Sequence, residues 1–160
     1  MIVLVMGVTG SGKTTVGKLL SERLKWIFLD ADDFHSSENR EKMHRGIPLS
    51  DADRTPWLDA IHDELLRRNG EGANAVLACS ALKQEYRDTL GAGLNLEIVY
   101  LRGSTEQLRR NLATRKNHFA GEDLVPSQLA TLEEPSGAIA EDISHTPEEI
   151  VDDIRTRLNL

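Results

Sequence analysis

The sequence predicts a three-layer α/β domain: a parallel five-stranded sheet with helices on both faces. Three observations predict it. Short apolar runs rich in branched residues alternate with longer amphipathic segments, the pattern of repeated strand–helix units. The strand candidates are apolar almost throughout rather than alternating, as strands covered on both faces are. The first of them runs directly into Gly7-Val8-Thr9-Gly10-Ser11-Gly12-Lys13-Thr14. That stretch fits the phosphate-binding loop pattern G-x-x-x-x-G-K-[ST] in its required place between a strand and a helix.

Taken in order, Ile2–Met6 is the first strand, and Thr14 to Leu24 the first helix, with Val16, Leu19, Leu20 and Leu24 on one face. Trp26 to Asp30 reads as the second strand, leading into Ala31-Asp32-Asp33-Phe34-His35. Ser36 or Ser37 caps a helix to about Arg45, stopped by Gly46 and Pro48. A long helix follows Ser50, carrying Trp57, Leu58, Ile61, Leu65 and Leu66 at helical spacing. Ala75 to Cys79 is a third strand, apolar throughout and so expected to be central. Ser80-Ala81-Leu82-Lys83 turns into a helix with Tyr86 and Arg87, and Leu96 to Leu101 is the fourth strand. Ser104 or Thr105 caps the next helix. The stretch 115–135 begins without apolar periodicity and is expected to form a mobile lid. Ala138 to Ile143 is a weak fifth strand, and Pro147 opens a last helix with Ile150, Val151, Ile154 and Leu158 on its buried face.

At 160 residues the chain is read as one domain, 1–160, long enough to bury a core. Its formal charge of −7 argues against a general nucleic-acid binder, although a local group of cations still suits a small anion. No apolar run approaches the ~20 residues of a membrane span. Cys79 is the single cysteine, which excludes a disulfide within the chain. Met1 leads straight into the first strand with no basic leader, so a reducing cytoplasmic setting is expected.

The glycine loop carries the clearest chemistry. Its glycines let successive backbone N–H groups turn toward phosphate oxygens, and the helix that follows adds partial positive charge. Gly7, Val8, Thr9, Gly10, Ser11, Gly12, Lys13, Thr14 and Thr15 are therefore the candidate ATP-binding residues, with Lys13 on the β- and γ-phosphates and the Thr14 hydroxyl on Mg²⁺. The loop alone does not separate kinases, GTPases, motors and regulators. A GTPase should carry N-K-x-D; here the pair is reversed, Lys116-Asn117, with no Asp at the required step. The third strand ends in Cys79-Ser80 rather than in the Walker B Asp common in ATPases. These absences favour a small-molecule kinase. Asp32, at the carboxyl end of the second strand, lies where open α/β sheets place ligands and is the candidate base or positioning group for the acceptor hydroxyl; Asp30 is the secondary one.

Several blocks resemble one family. They are Met6 to Lys13; Leu29-Asp30-Ala31-Asp32 with His35; Glu41-Lys42-Met43; Pro48-Leu49 with Asp53-Arg54 and Pro56-Trp57-Leu58; Cys79-Ser80-Ala81-Leu82-Lys83 with Tyr86-Arg87; Arg115-Lys116 with His118-Phe119; and Thr131-Leu132-Glu133 with Pro135. Together they resemble the bacterial P-loop gluconokinases across nearly the whole chain, the Cys-Ser-Ala-Leu-Lys block most specifically. Shikimate kinases, relatives by fold, carry a triple glycine there. The chain departs at Asn111, where the family often has Arg, and at Asn117, where Gly is common. The resemblance implies ATP- and Mg²⁺-dependent phosphorylation of D-gluconate at its 6-hydroxyl, and a homodimer.

For such a substrate, His35 is a candidate for a hydroxyl, and Arg54 and Arg87 for the carboxylate, which a guanidinium fork fits. Lys83 and Lys42 are secondary candidates. Arg115 is the candidate catalytic residue of the lid, opposing charge on the transferred phosphoryl, with Lys116 and His118 assisting. The Ser144–Pro147 loop is where related kinases seat adenine. Cys79 and Trp57 read as packed core residues rather than a nucleophile and a sugar platform. Two rival readings stay open: a kinase of the same fold for shikimate or a nucleoside, and a nucleotide-binding regulatory module without turnover.

Overall fold

The computed structural model describes residues 1–114 and 121–160, with the backbone alone at 121–123. In chain order the elements are β1 (Ile2–Met6), α1 (Lys13–Leu24), β2 (Ile27–Asp30), a 3₁₀ turn (Ala31–Phe34), α2 (Ser37–His44), α3 (Asp51–Gly70), β3 (Ala75–Ala78), α4 (Gln84–Gly91), β4 (Leu96–Arg102), α5 (Thr105–Ala113), α6 (Gly121–Thr131), β5 (Ile139–Asp142) and α7 (Pro147–Leu158). The five strands form one parallel sheet in the order β2-β3-β1-β4-β5. β1, buried at every residue, takes the middle; β3, expected to be central, lies beside it.

Side chains alternate across β1, and each set finds its own helical layer. Ile2, Leu4 and Met6 pack with Trp57, Ile61 and Leu65 of α3 and Leu90 of α4. Val3 and Val5 pack with Val16 and Leu20 of α1 and Ile150 and Ile154 of α7. Each large side chain buried this way contributes about 1.5–3 kcal/mol. The helix starts are specified locally. The hydroxyls of Ser36, Ser50, Ser104 and Thr146 cap α2, α3, α5 and α7, with reciprocal capping boxes at Ser50–Asp53 and Ser104–Gln107.

The registers Val5↔Ala78 and Asp30↔Ala78 make the carboxyl ends of β1, β3 and β2 level. The glycine loop, the Cys79–Lys83 segment and the 3₁₀ turn therefore emerge side by side at one sheet edge, the edge where such sheets bind ligands. A third apolar cluster closes this edge: Val8 of the loop, Leu82, Leu108 and Leu112 of α5, and Val125 of α6. The cluster takes in part of the stretch 115–135 that is expected to form a mobile lid. Residues 121–131 form α6, and Val125 is fully buried. The earlier part of that stretch, with Arg115, Lys116 and His118, lies outside the described residues.

Candidate active site

The phosphate cradle differs from the other helix starts described above. α1 opens on Gly12 in a left-handed conformation (φ 90°), with no side-chain cap and no acidic residue in its first turn. Its N-terminal N–H groups and partial positive charge are thus left for an anion. Gly10, also at positive φ, could not be replaced without strain: a Cβ there would stand 2.7 Å from the Leu108 carbonyl oxygen. Two side chains brace the loop. Asn111 of α5 donates to the Gly10 carbonyl at 2.8 Å, and Gln128 of α6 accepts from the Thr9 N–H at 2.7 Å. Lys13 folds back across the loop, its Nζ 3.1 Å from the Val8 carbonyl oxygen.

Next to Lys13 the Thr14 hydroxyl lies 3.5 Å from Asp30 Oδ2. The other oxygen of Asp30 accepts from the Asp32 N–H at 3.0 Å, so the carboxylate also caps the 3₁₀ turn. Burial raises the Asp30 carboxyl above its ordinary range, and the nearby Asp32 and Asp33 push the same way; the Asp32 N–H and Lys13 oppose them. A hydroxyl and a carboxylate side by side are hard oxygen donors of the kind Mg²⁺ accepts when water and phosphate oxygens complete its shell. Among the described residues no group of three or more His, Cys, Asp or Glu side chains forms an all-protein metal site. Thr14 and Asp30 fit the ion the glycine loop implies.

On the other side of Asp30 lie the residues expected to meet the acceptor. The Asp32 side chain is exposed and makes no hydrogen bond among the described residues, while its backbone is fixed by Asp30 and by Arg40. Arg40, which carries no motif, reaches the carbonyl oxygens of Asp32, Asp33 and His35 and holds the turn in shape. The His35 ring stacks on Trp57 at 4.3 Å between centroids and 11° between planes. Burial, then the charges of Arg40 and Arg54, lower its pKa to about 4. The imidazole is therefore neutral near pH 7, with one donor and one acceptor, and its Nδ1 is buried without a partner among the described residues. Trp57 is core, 7% exposed, and donates to the Ala31 carbonyl at 2.6 Å. Arg54, one turn before Trp57 in α3, lies within 3.3 Å of the Tyr86 hydroxyl.

Arg87 is placed differently from its expected role. It is 2% exposed. Its guanidinium donates to the carbonyls of Ala81 and Glu133, each at 2.7 Å, and to Gln84 Oε1 at 3.0 Å. It binds its own chain rather than offering a free fork. Glu133 completes the clasp: its N–H donates to Leu82 O, and its carboxylate accepts from the Gln84 N–H at 2.7 Å, capping α4, whose own N-cap Lys83 makes no side-chain cap. The Cys-Ser-Ala-Leu-Lys and Thr-Leu-Glu blocks are thus two halves of one structural joint. Lys42 pairs with Asp53 at 3.0 Å. Cys79 is buried, and burial pushes its thiol up to about 12, which leaves no thiolate to react.

A cavity of about 300 Å³ lies beside the loop, lined by Gly10, Gly12, Thr15, Asn111, His145 and Pro147 among others. It lies against the phosphate cradle and has the Ser144–Pro147 loop region on its wall, as a base seat requires. The sequence marks Asp30 only as a secondary candidate and carries no motif at Arg40 or Gln128. The period-breaking Pro126 hid the helix that presents Gln128.

Comparison with known proteins gives a consistent result. Residues 2–135 match the model of the AAA domain family AAA_33. The chain is 50% identical to a probable gluconokinase of Mus musculus over 153 residues, 84% of this chain and 83% of that one. It is 51% identical to a gluconokinase of Gluconobacter oxydans over 132 residues, 82% of this chain and 74% of that one. Its structure superposes on the crystal structure of a gluconokinase from Sinorhizobium meliloti with a TM-score of 0.88 at 40% identity, covering 98% of this chain and 90% of that one.

Proposed function

This chain belongs to the gluconokinase family, and we propose that it transfers the γ-phosphoryl group of MgATP to the 6-hydroxyl of D-gluconate, giving 6-phospho-D-gluconate and ADP. The observation that carries the reading is the meeting of Thr14 and Asp30 between the phosphate cradle and the acceptor region. It supports the reading because two hard oxygen donors, suited to a metal ion, lie beside the glycine loop.

The chemistry asks mainly for positioning and charge stabilisation, because the transition state is loose. The backbone N–H groups from Gly10 to Thr15 and the Lys13 ammonium hold the phosphates. Thr14 and Asp30 would hold Mg²⁺, which would supply positive charge against the phosphates. Asp32 accepts a hydrogen bond from the 6-hydroxyl and aims it in line with the γ-phosphorus. The neutral His35 ring, stacked on Trp57, bonds an inner hydroxyl of the polyol, and Arg54 faces its carboxylate. Arg115 takes the role the family resemblance gives it, opposing charge on the phosphoryl group in flight. The base rests in the cavity beside His145 and Pro147. The same reading makes the protein a cytoplasmic homodimer. Among the described residues no helix is long and apolar enough to cross a membrane.

The test is coupled ADP release with MgATP and a panel of D-gluconate, shikimate, D-glucose, a nucleoside and no acceptor. Turnover that depends on gluconate supports the assignment. Turnover that depends on another acceptor keeps the phosphate site and overturns the acceptor site. ATP binding without acceptor-dependent turnover makes the chain a regulatory module.

A further inference from the structure

We propose that the Asp51 carboxylate is an internal stand-in for the carboxylate of the acceptor: it holds Lys83, Tyr86 and Arg54 in the substrate-free chain, and the incoming sugar acid competes with it for those donors. The inference rests on the gluconokinase reading and names Asp51 as a specificity-determining residue within it.

Asp51 is the first residue of α3 and Arg54 lies one turn on; Lys83 is the N-cap of α4 and Tyr86 is in its first turn. The Tyr86 hydroxyl donates to Asp51 Oδ1. Lys83 Nζ reaches both carboxylate oxygens, at 3.2 and 3.3 Å. Arg54 lies 3.9 Å from the same carboxylate and 3.3 Å from the Tyr86 hydroxyl. Both cations rest against the Tyr86 ring, 5.8 and 5.5 Å from its centroid, and the ring itself is buried. A guanidinium, an ammonium and a phenol are thus held on a fixed platform around one carboxylate. Trp57, one turn on from Arg54 in α3, stacks on His35, so the platform adjoins the residues expected to meet the acceptor.

Two features set this cluster apart from an ordinary surface pair. Its contacts hold two cations, Arg54 and Lys83, against one anion, Asp51, which leaves a positive charge for a second carboxylate. And the Asp51 side chain is 59% exposed, so it returns to water at small cost. Arg87, with its guanidinium tied to backbone carbonyls, cannot be exchanged in this way. The carboxylate-binding task therefore passes from Arg87 to Lys83, Tyr86 and Arg54. A neutral polyol carries no group able to replace Asp51, so the stand-in favours sugar acids over neutral sugars.

The experiment is steady-state kinetics of the full chain at saturating MgATP, for wild type, Asp51→Asn, Lys83→Met and the double variant, against D-gluconate and against neutral D-sorbitol. Asp51→Asn is expected to lower the KM for gluconate by about threefold or more with kcat within about twofold, and to leave sorbitol unchanged. Lys83→Met is expected to raise the KM for gluconate about tenfold, and the double variant to show no gain over it. A gluconate KM that stays the same or rises in Asp51→Asn, with wild type active on gluconate, overturns the stand-in alone. Wild type inactive on gluconate overturns the family reading and the stand-in with it. If Asp51→Asn fails to fold, Asp51→Ser keeps a residue suited to a helix start, and inhibition by acetate competing with gluconate is measured instead. A lower acetate inhibition constant than in wild type supports the proposal; an equal or higher one overturns it.

Discussion

Asp30 and Asp32 stand two residues apart and meet different surroundings. Asp30 is half-buried beside Thr14, with both oxygens engaged and its proton affinity raised by burial; Asp32 is exposed with its side chain unengaged among the described residues. Environment sets two like groups apart, as it does in other paired-carboxylate sites. Asp30→Asn is expected to raise the Mg²⁺ concentration needed for half-maximal turnover about tenfold while nucleotide binding persists, read by metal titration of the rate. Asp32→Ala is expected to lower kcat by ~10²-fold or more with ATP still bound; a near-normal kcat removes Asp32 from the mechanism. Lys13→Ala should remove most turnover. For Arg87→Ala the expected effect is on stability. Three acceptors lose a buried donor, a cost of about 3 kcal/mol. At about 2–4 °C per kcal/mol for a domain this size, the Tm should fall by roughly 6–12 °C. A large rise in KM with an unchanged Tm would instead put Arg87 on the substrate. The sequence marked Lys13, Thr14 and Asp32 because a motif or a strand end fixes where they sit. It could not show that the acceptors for Arg87 lie in its own chain, one of them 46 residues away.

At the level of elements, α6 is the piece whose placement matters most. Val125 buries it in the cluster under the glycine loop, Gln128 ties it to the Thr9 N–H, and the segment after it caps α4 through Glu133. One helix therefore touches both the phosphate cradle and the segment that carries Lys83. Glu133→Ala removes the cap of α4 and is expected to cost about 1 kcal/mol, seen as a lower midpoint in urea unfolding. Glu133→Gln keeps an oxygen for the Gln84 N–H and should recover most of it; equal losses in both would show that the charge, not the cap, stabilises the joint. This element was poorly legible in the sequence. Pro126 interrupts the pattern and the stretch before it is polar, so no helical period appears. The strands and remaining long helices were legible because β1 and β3 are apolar throughout and the Ser50, Ser104 and Thr146 starts follow local capping rules. The 3₁₀ turn at Ala31–Phe34 is fixed by Asp30 and Arg40 rather than by its own residues, and gave no signal.

For the whole molecule, two sets of carboxyl groups set how stability follows pH. Glu141 is buried on β5 against α7, and burial, then the hydrogen bond and charge of Asp153, raise it from 4.5 to about 7, with Arg157 opposing. The folded chain holds this proton where the unfolded chain has released it. Its stabilisation is complete below about 4.5 and is lost as pH rises through about 7. Asp53 and Glu64, held to about 2 by hydrogen bonds and by Lys42, Arg67 and Arg68, act in the opposite sense: their stabilisation is lost as pH falls toward 2. Glu141→Gln should flatten the fall in Tm between about pH 5 and pH 8; a Gln variant with the wild-type slope would assign that slope to other groups. The overall architecture was legible from strand–helix alternation and one glycine loop, while the pairing of Glu141 with Asp153, distant in sequence, was not. The reaction itself is tested most directly by phosphorus and proton NMR of the product formed from D-gluconate and MgATP. Transfer to the 6-hydroxyl requires a single phosphomonoester signal coupled to the two C6 protons, formed in step with ADP. Phosphate on another carbon, or free phosphate released without a sugar phosphate, would contradict it.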